Sequence, residues 1–267
     1  MKVYIHTDLE GVCDFYDWAE ADIKTSRGIG YTKEFLTEEV NAAIDGVCSV
    51  CADAEFIVED GHGGGYYGPN VLPEKLRRQA KLLVGKYHWH LRNIDDTFDF
   101  FMIVGAHSMA GTPKGQMNHT LSKDRYYNVL LNGVAVGEIG ICAAIGGYYK
   151  VPLAMVSGDY WAAKEAEQLI PGVRTAAVKT GINSFCAECL HPDIAREMIR
   201  SAARDAAANC ESIKPYPLQN AIEVRVDYLY SEQADEAERK GDGKRIGNRS
   251  VLFEGTDLRK VFGRSFG

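Results

Sequence analysis

The chain opens with a short β-prone run over residues 3–7 and then changes period, with Leu36, Val40, Ala43, Ile44 and Val47 repeating at helical spacing. Residues 55–59 read as the next buried strand, so the N-terminal segment predicts a β-α-β unit. Residues 98–106 form a near-continuous apolar run that stops at His107, as in a central parallel strand covered on both faces. Two further β-prone runs, 126–131 and 134–136, flank Asn132-Gly133, a strong hairpin signal. A helix is expected over 137–149, a buried strand over 151–157, and an Ala-rich helix that Asp159 caps and that ends near Leu169. The rhythm continues with a helix at 192–209, a strand at 221–226, a charged helix at 231–240, a strand at 250–253 and a terminal helix from Asp257.

Such alternation predicts an α/β fold with a mainly parallel sheet and flanking helices, plus a smaller C-terminal α/β unit. Gly181, Asn183 and Pro192 punctuate the chain, and the division is placed at 185/186, giving units 1–185 and 186–267. The length of 267 residues is about 1.8 times the ~150 residues of a typical domain, which suits one large domain or two small ones. With 46% apolar and 25% charged residues, the chain is too hydrophobic to be disordered. Thirty Lys and Arg stand against 37 Asp and Glu, a net charge of −7, which argues against general affinity for nucleic acid or anionic membranes. The longest apolar run, residues 139–149, is too short to span a bilayer, and Asp8 precedes any signal-peptide apolar region, so a cytoplasmic protein is expected. Seven cysteines include two Cys-x-x-Cys pairs, Cys48/Cys51 and Cys186/Cys189, separated by far more than the ~15–20 residues of a zinc ribbon. They read as small apolar fillers.

In open α/β sheets, ligands bind beyond the carboxyl ends of the strands, and here those ends carry chemistry. The first strand is followed by Asp8-Leu9-Glu10-Gly11, the second by Asp60-Gly61-His62, and the third by His107. Asp8 and Glu10 are two residues apart and point the same way in extended backbone, so their charges repel unless a cation or proton sits between them. A divalent metal resolves this, and the carboxylate and imidazole donors suit zinc, or manganese and cobalt less specifically. His119, in a loop with Gly111 and Pro113, is a candidate general acid or base. Glu138 opens the apolar helix after the hairpin, and Asp60 is a candidate to orient a ligating imidazole or to anchor a substrate amine. Four other histidines look less promising. His6 shares the parity of Asp8 but reads as a sheet residue, His88 and His90 alternate as on a surface strand, and His191 precedes a helix.

The ordered series Asp8-Leu9-Glu10-Gly11, Asp60-Gly61-His62, Gly105-Ala106-His107, Met117-Asn118-His119, Gly137-Glu138-Ile139-Gly140 and Gly158-Asp159 resembles the zinc-dependent D-aminopeptidases associated with bacterial dipeptide-transport operons. The resemblance runs over nearly the whole chain. It implies a dinuclear zinc site in which Asp8 bridges two ions and Glu10, His62, His107 and Glu138 complete the shells, with His119 as the catalytic residue. It further implies a short-peptide substrate with an N-terminal D-residue, and a homodecamer of stacked pentameric rings enclosing a chamber. Two other readings of the same residues are a metal hydrolase acting on another amide or, less favoured, a phosphoester, and a protein that binds a peptide or metal without turnover.

Overall fold

The computed structural model describes residues 1–17, 29–65, 69–85 and 90–267. In chain order the elements are β1 (Lys2–Thr7), α1 (Ile29–Cys48), β2 (Glu55–Asp60), β3 (Ala80–Leu83), β4 (Phe100–Ala106), β5 (Tyr126–Leu131), β6 (Val134–Ala135), α2 (Glu138–Tyr148), β7 (Leu153–Asp159) and α3 (Tyr160–Leu169). They continue with β8 (Arg174–Asn183), β9 (Cys186–Cys189), α4 (Pro192–Ala208), β10 (Ile222–Tyr228), α5 (Ser231–Gly241), β11 (Lys244–Arg245), β12 (Ser250–Gly255) and α6 (Leu258–Phe266). Short 3-10 turns occupy His62–Gly65 and Cys210–Ser212.

One sheet has the order β3-β2-β1-β4-β7-β8-β9 and is parallel except for β9, which runs antiparallel to β8. Its central strands β4 and β7 are buried at every residue, which requires cover on both faces. Helices α1 and α4 pack on each other and on this sheet, while α3 packs along β7 and β8. Helix α2, buried from Ile139 to Gly146, contacts α3, β4 and α6 and so joins the two sheets. The second sheet is antiparallel, with the order β11-β12-β10-β5-β6, and α6 covers β10 and β12. Its β5–β6 turn places Asn132 at φ 48° and Gly133 at φ 81°, the left-handed pair that a two-residue hairpin needs. Among the described residues no helix is long and apolar enough to cross a membrane.

The α/β class and the mainly parallel sheet agree with the pattern of the sequence. The expected division at 185/186 instead falls between two hydrogen-bonded strands, β8 and β9. The second sheet takes β5 and β6 from residues 126–135 and its other strands from 222–255, so its members lie on either side of that point. Strand pairing across almost a hundred residues leaves no local signal. The same holds for β3, β8 and β9, which the apolar pattern did not reveal. Asp159 precedes α3 as expected but its side chain does not cap the helix: Oδ1 accepts from the Gly181 amide at 2.8 Å and ties β7 to β8.

Candidate metal centre

The loop after β1 folds back across the end of β4. The Asp8 and Gly11 amides donate to the Val104 and Gly105 carbonyls, both at 2.8 Å. This approach leaves no room for side chains: a Cβ on Gly11 would stand 2.0 Å from the Ala106 oxygen, and one on Gly105, at φ 84°, 2.1 Å from the Asp8 oxygen. The two glycines thereby bring Asp8 and Glu10 beside His107. The parallel pairing of β1 with β2 brings His62 to the same edge.

Asp8 stands between two imidazoles, with Oδ1 3.3 Å from His62 Nδ1 and Oδ2 3.2 Å from His107 Nε2. Glu10 Oε2 lies 2.9 Å from His62 Nδ1, and Glu138 Oε1 lies 3.2 Å from His107 Nε2. His119 completes the ring of donors, with Nε2 3.7 Å from Glu138 Oε1 and 4.0 Å from Glu10 Oε1. His107 and His119 stack with centroids 3.9 Å apart and planes 13° from parallel. All six sequence candidates, Asp8, Glu10, His62, His107, His119 and Glu138, therefore meet in one cluster.

Backbone carbonyls set two of the tautomers. A carbonyl only accepts, so His107 Nδ1 donates to Ser108 O at 3.0 Å and His119 Nδ1 donates to Met117 O at 2.8 Å. Each ring then turns Nε2 toward carboxylates. His107 Nε2 is buried and makes no aligned hydrogen bond although two carboxylate oxygens are 3.2 Å away. That is the environment of a metal ligand. The edge of a zinc tetrahedron with bonds of about 2.0–2.1 Å is about 3.3 Å, close to the separations around Asp8 and His107. The donor set thus fits zinc.

Charge balance points the same way. Burial opposes ionisation of Asp8 and Glu138, but His107 and His62 at Asp8, and His107 and His90 at Glu138, outweigh it and hold both carboxyls well below their usual range. Burial likewise opposes charge on His62 and His107, yet the carboxylates Glu10, Asp8 and Glu138 raise both imidazoles well above their usual value. Without a cation the cluster keeps protons where a cation would bind. His119 differs: burial and the neighbouring His107 lower it, so it is neutral at neutral pH.

The loop that carries His119 is strained and anchored. Met117 and Leu121, two residues to either side, hold φ 51° and φ 61°, and the Leu121 amide donates to Glu138 Oε1 at 2.7 Å. A cleft of about 310 Å³ opens beside His119, lined by Asn118, Lys123, Tyr126, Tyr127 and Asn128 among others, so β5 of the second sheet borders the site.

Several expectations change. Asp60 neither orients His62 nor is available for an amine: Oδ1 accepts from Asn70 Nδ2 at 2.8 Å and Oδ2 from the amides of Asn70 and Val71, which pins the following loop. His90 is not on a surface strand, since its Nε2 is buried 3.2 Å from Glu138 Oε2. His88 lies outside the described residues. All seven cysteines are free, and Cys186 is exposed rather than a filler. Cys189 instead neighbours Cys13, with the Asp14 carboxylate, and these donors lie within 4.8 Å of one another.

Among the described residues, Glu59, which the sequence places at the end of the second strand, and Glu165 and Lys179, which it does not single out, are buried. Glu59 accepts from His6 Nδ1 at 2.7 Å. Glu165 accepts from the Met109 amide at 2.9 Å, and burial pushes its carboxyl up to about 7. Lys179 spans the loop after β1 by donating to the carbonyls of Glu10 and Phe15. Each sits within a strand or helix whose local pattern marks it as an ordinary polar position.

Comparison with known proteins agrees with this geometry. A D-aminopeptidase of Bacillus subtilis (strain 168) is 33% identical over 268 residues, covering 98% of this chain and 94% of that protein. A solved structure, described as the Zn-dependent D-aminopeptidase DppA from Bacillus subtilis, a self-compartmentalizing protease, superposes with a TM-score of 0.92 at 31% identity, covering 99% of this chain and 95% of that one. The model of the D-aminopeptidase family, peptidase family M55, matches residues 1–264, and this chain belongs to that family.

Proposed function

We propose that this protein is a zinc-dependent aminopeptidase that removes N-terminal D-residues from short peptides, with two zinc ions per subunit held by Asp8, Glu10, His62, His107 and Glu138. The observation that carries the reading is Asp8, which turns one carboxylate oxygen to each of two imidazoles at 3.2–3.3 Å, the position of a bridging ligand. Zinc bound there would polarise the scissile carbonyl and lower the pKa of water toward neutrality.

His119 is the catalytic residue in this reading. Its Nδ1–H is held by the Met117 carbonyl, so Nε2 takes the proton from the attacking water and returns it to the leaving amine. The stacked His107 ring fixes the plane of His119, and the cleft beside Asn118 and Tyr127 receives the part of the peptide beyond the scissile bond. Glu138 accepts from the Leu121 amide and so holds the His119 loop against the ligands.

We further propose a homo-oligomer, a decamer by family resemblance. The exposed Ile182 and Phe185 at the β8–β9 turn offer apolar contact surface for it. Seven free cysteines suit a reducing cytoplasm.

The test pairs metal analysis of protein purified without added metal with hydrolysis of D-alanyl and L-alanyl amides. At least two equivalents of zinc and preference for the D-substrate are expected. No metal and no hydrolysis after reconstitution with zinc, manganese or cobalt would overturn the reading, and retention of an intact peptide would favour a binding protein.

A further inference from the structure

A second group of metal-binding side chains lies one layer below the centre just described. His6, on β1, is two residues before Asp8, and Cys142, on α2, is four residues after Glu138. A two-residue step along a strand is about 6.6 Å and a four-residue step along a helix about 6.0 Å, and each keeps the side chain on the same face. Strand β1 ends at the metal centre and α2 begins there, so both steps lead away from it. The side chains that meet at the top as Asp8 and Glu138 meet again below as His6 and Cys142. His90 closes this lower layer, its ring 4.7 Å from that of His6 and nearly perpendicular to it.

His6, His90 and Cys142 each present one donor atom, and the three lie within 4.8 Å of one another. Zinc with bonds of about 2.0–2.3 Å needs donor separations of about 3.3–3.8 Å, so a side-chain movement of about an ångström closes the set. His6 and Cys142 are buried, and His90 Nε2 is out of contact with solvent without an aligned hydrogen bond. Glu138 Oε2 is 3.2 Å from that nitrogen and borders the set.

The surroundings orient the histidines as metal ligands are oriented. Glu59 Oε2 accepts from His6 Nδ1 at 2.7 Å and from the Leu91 amide, next to His90, at 2.8 Å. One buried carboxylate thus fixes the His6 ring, leaving Nε2 with its lone pair, and pins the backbone beside the second histidine. A carboxylate behind a histidine is the usual second support of a ligating imidazole.

We propose that His6, His90 and Cys142 form a further cation site for a borderline divalent ion of the zinc or cobalt type, beneath the paired centre and next to Glu138. Two imidazoles and one thiolate suit such an ion and disfavour magnesium or calcium.

Cobalt substitution of the full-length protein tests this, because sulfur ligation gives a thiolate-to-cobalt charge-transfer band in the near ultraviolet. The wild type is expected to show the band and to hold one more equivalent of metal per subunit than Cys142→Ala. Cys142→Ala and His90→Ala should lose the band, and a Cys13→Ser, Cys189→Ser double variant should keep it. Absence of the band in the wild type, or its survival in Cys142→Ala, overturns the proposal. Should Cys142→Ala fail to fold, anomalous scattering at the zinc edge from wild-type crystals decides: a peak at bonding distance from Cys142 Sγ supports the site, and none there refutes it. None of the five ligands proposed for the paired centre carries sulfur, so the band and the remaining metal content report on the two readings separately.

Discussion

The carboxyl edge of the parallel sheet and the antiparallel sheet of β5, β6 and β10–β12 treat charge in opposite ways. In the antiparallel sheet the ion pairs lie at the surface, as between Arg225 and Asp227 at 2.8 Å or Arg245 and Asp235 at 2.7 Å, with at least one partner well exposed. Strand β10 alternates buried and outward positions along its length, and its charges face water. At the parallel edge, Asp8, Glu10, His62, His107 and His119 are all buried. Buried charges cost several kcal/mol each unless paired and hydrogen-bonded, so this edge is stable only with cations or protons among the carboxylates. The antiparallel sheet is held by packing, whereas the parallel edge stores electrostatic demand that a cation or proton must satisfy.

The strongest way to break the contrast is Asp8→Ala. It removes the acid between two imidazoles, and we expect loss of the two zinc ions of the paired centre and of measurable hydrolysis, followed by metal analysis and a peptide assay. Next comes His119→Ala, which should lower kcat by about 10²–10⁴ while metal content stays unchanged; loss of metal in that variant would make His119 a ligand instead.

A smaller effect concerns pH. Burial raises the Glu165 carboxyl from 4.5 to about 7, so between those values the folded chain binds more protons than the unfolded one. Stability of the metal-free protein should therefore fall as pH rises through this window, by on the order of 3 kcal/mol from this group. Glu165→Gln should flatten the decline, as read from urea midpoints at several pH values. The smallest effect belongs to the other sheet: Arg225→Ala should change stability by about 0–1 kcal/mol at any of these pH values. A larger change there would remove the contrast.

The candidate site was legible because its residues follow strand ends, where the chain leaves a sheet and polar groups reach the ligand edge. Asp8, Glu10, His62 and His107 belong to that pattern, and Glu138 starts a helix aimed at the same edge. His90 was not legible, since it lies in a stretch without apolar period and depends on Glu59, 31 positions earlier, to hold the next residue's amide. Asp60 was misread for the complementary reason. It stands two positions from His62 of the cluster, but its oxygens turn to Asn70 and Val71.

Sequence alone therefore determined the α/β alternation, the Asn132-Gly133 turn and the identity of the six residues at the principal cluster. The alternation, the turn and the four strand-end residues rest on local periods and turn chemistry, which act over a few residues, while Glu138 and His119 joined them through the family resemblance. Tertiary structure alone decided that 126–135 joins 222–255 in one sheet, that Asp60 serves a loop, and that His6, His90 and Cys142 meet below Glu138. Those outcomes depend on pairing and packing between distant segments, whose energies come from burying surfaces that no short window of sequence contains.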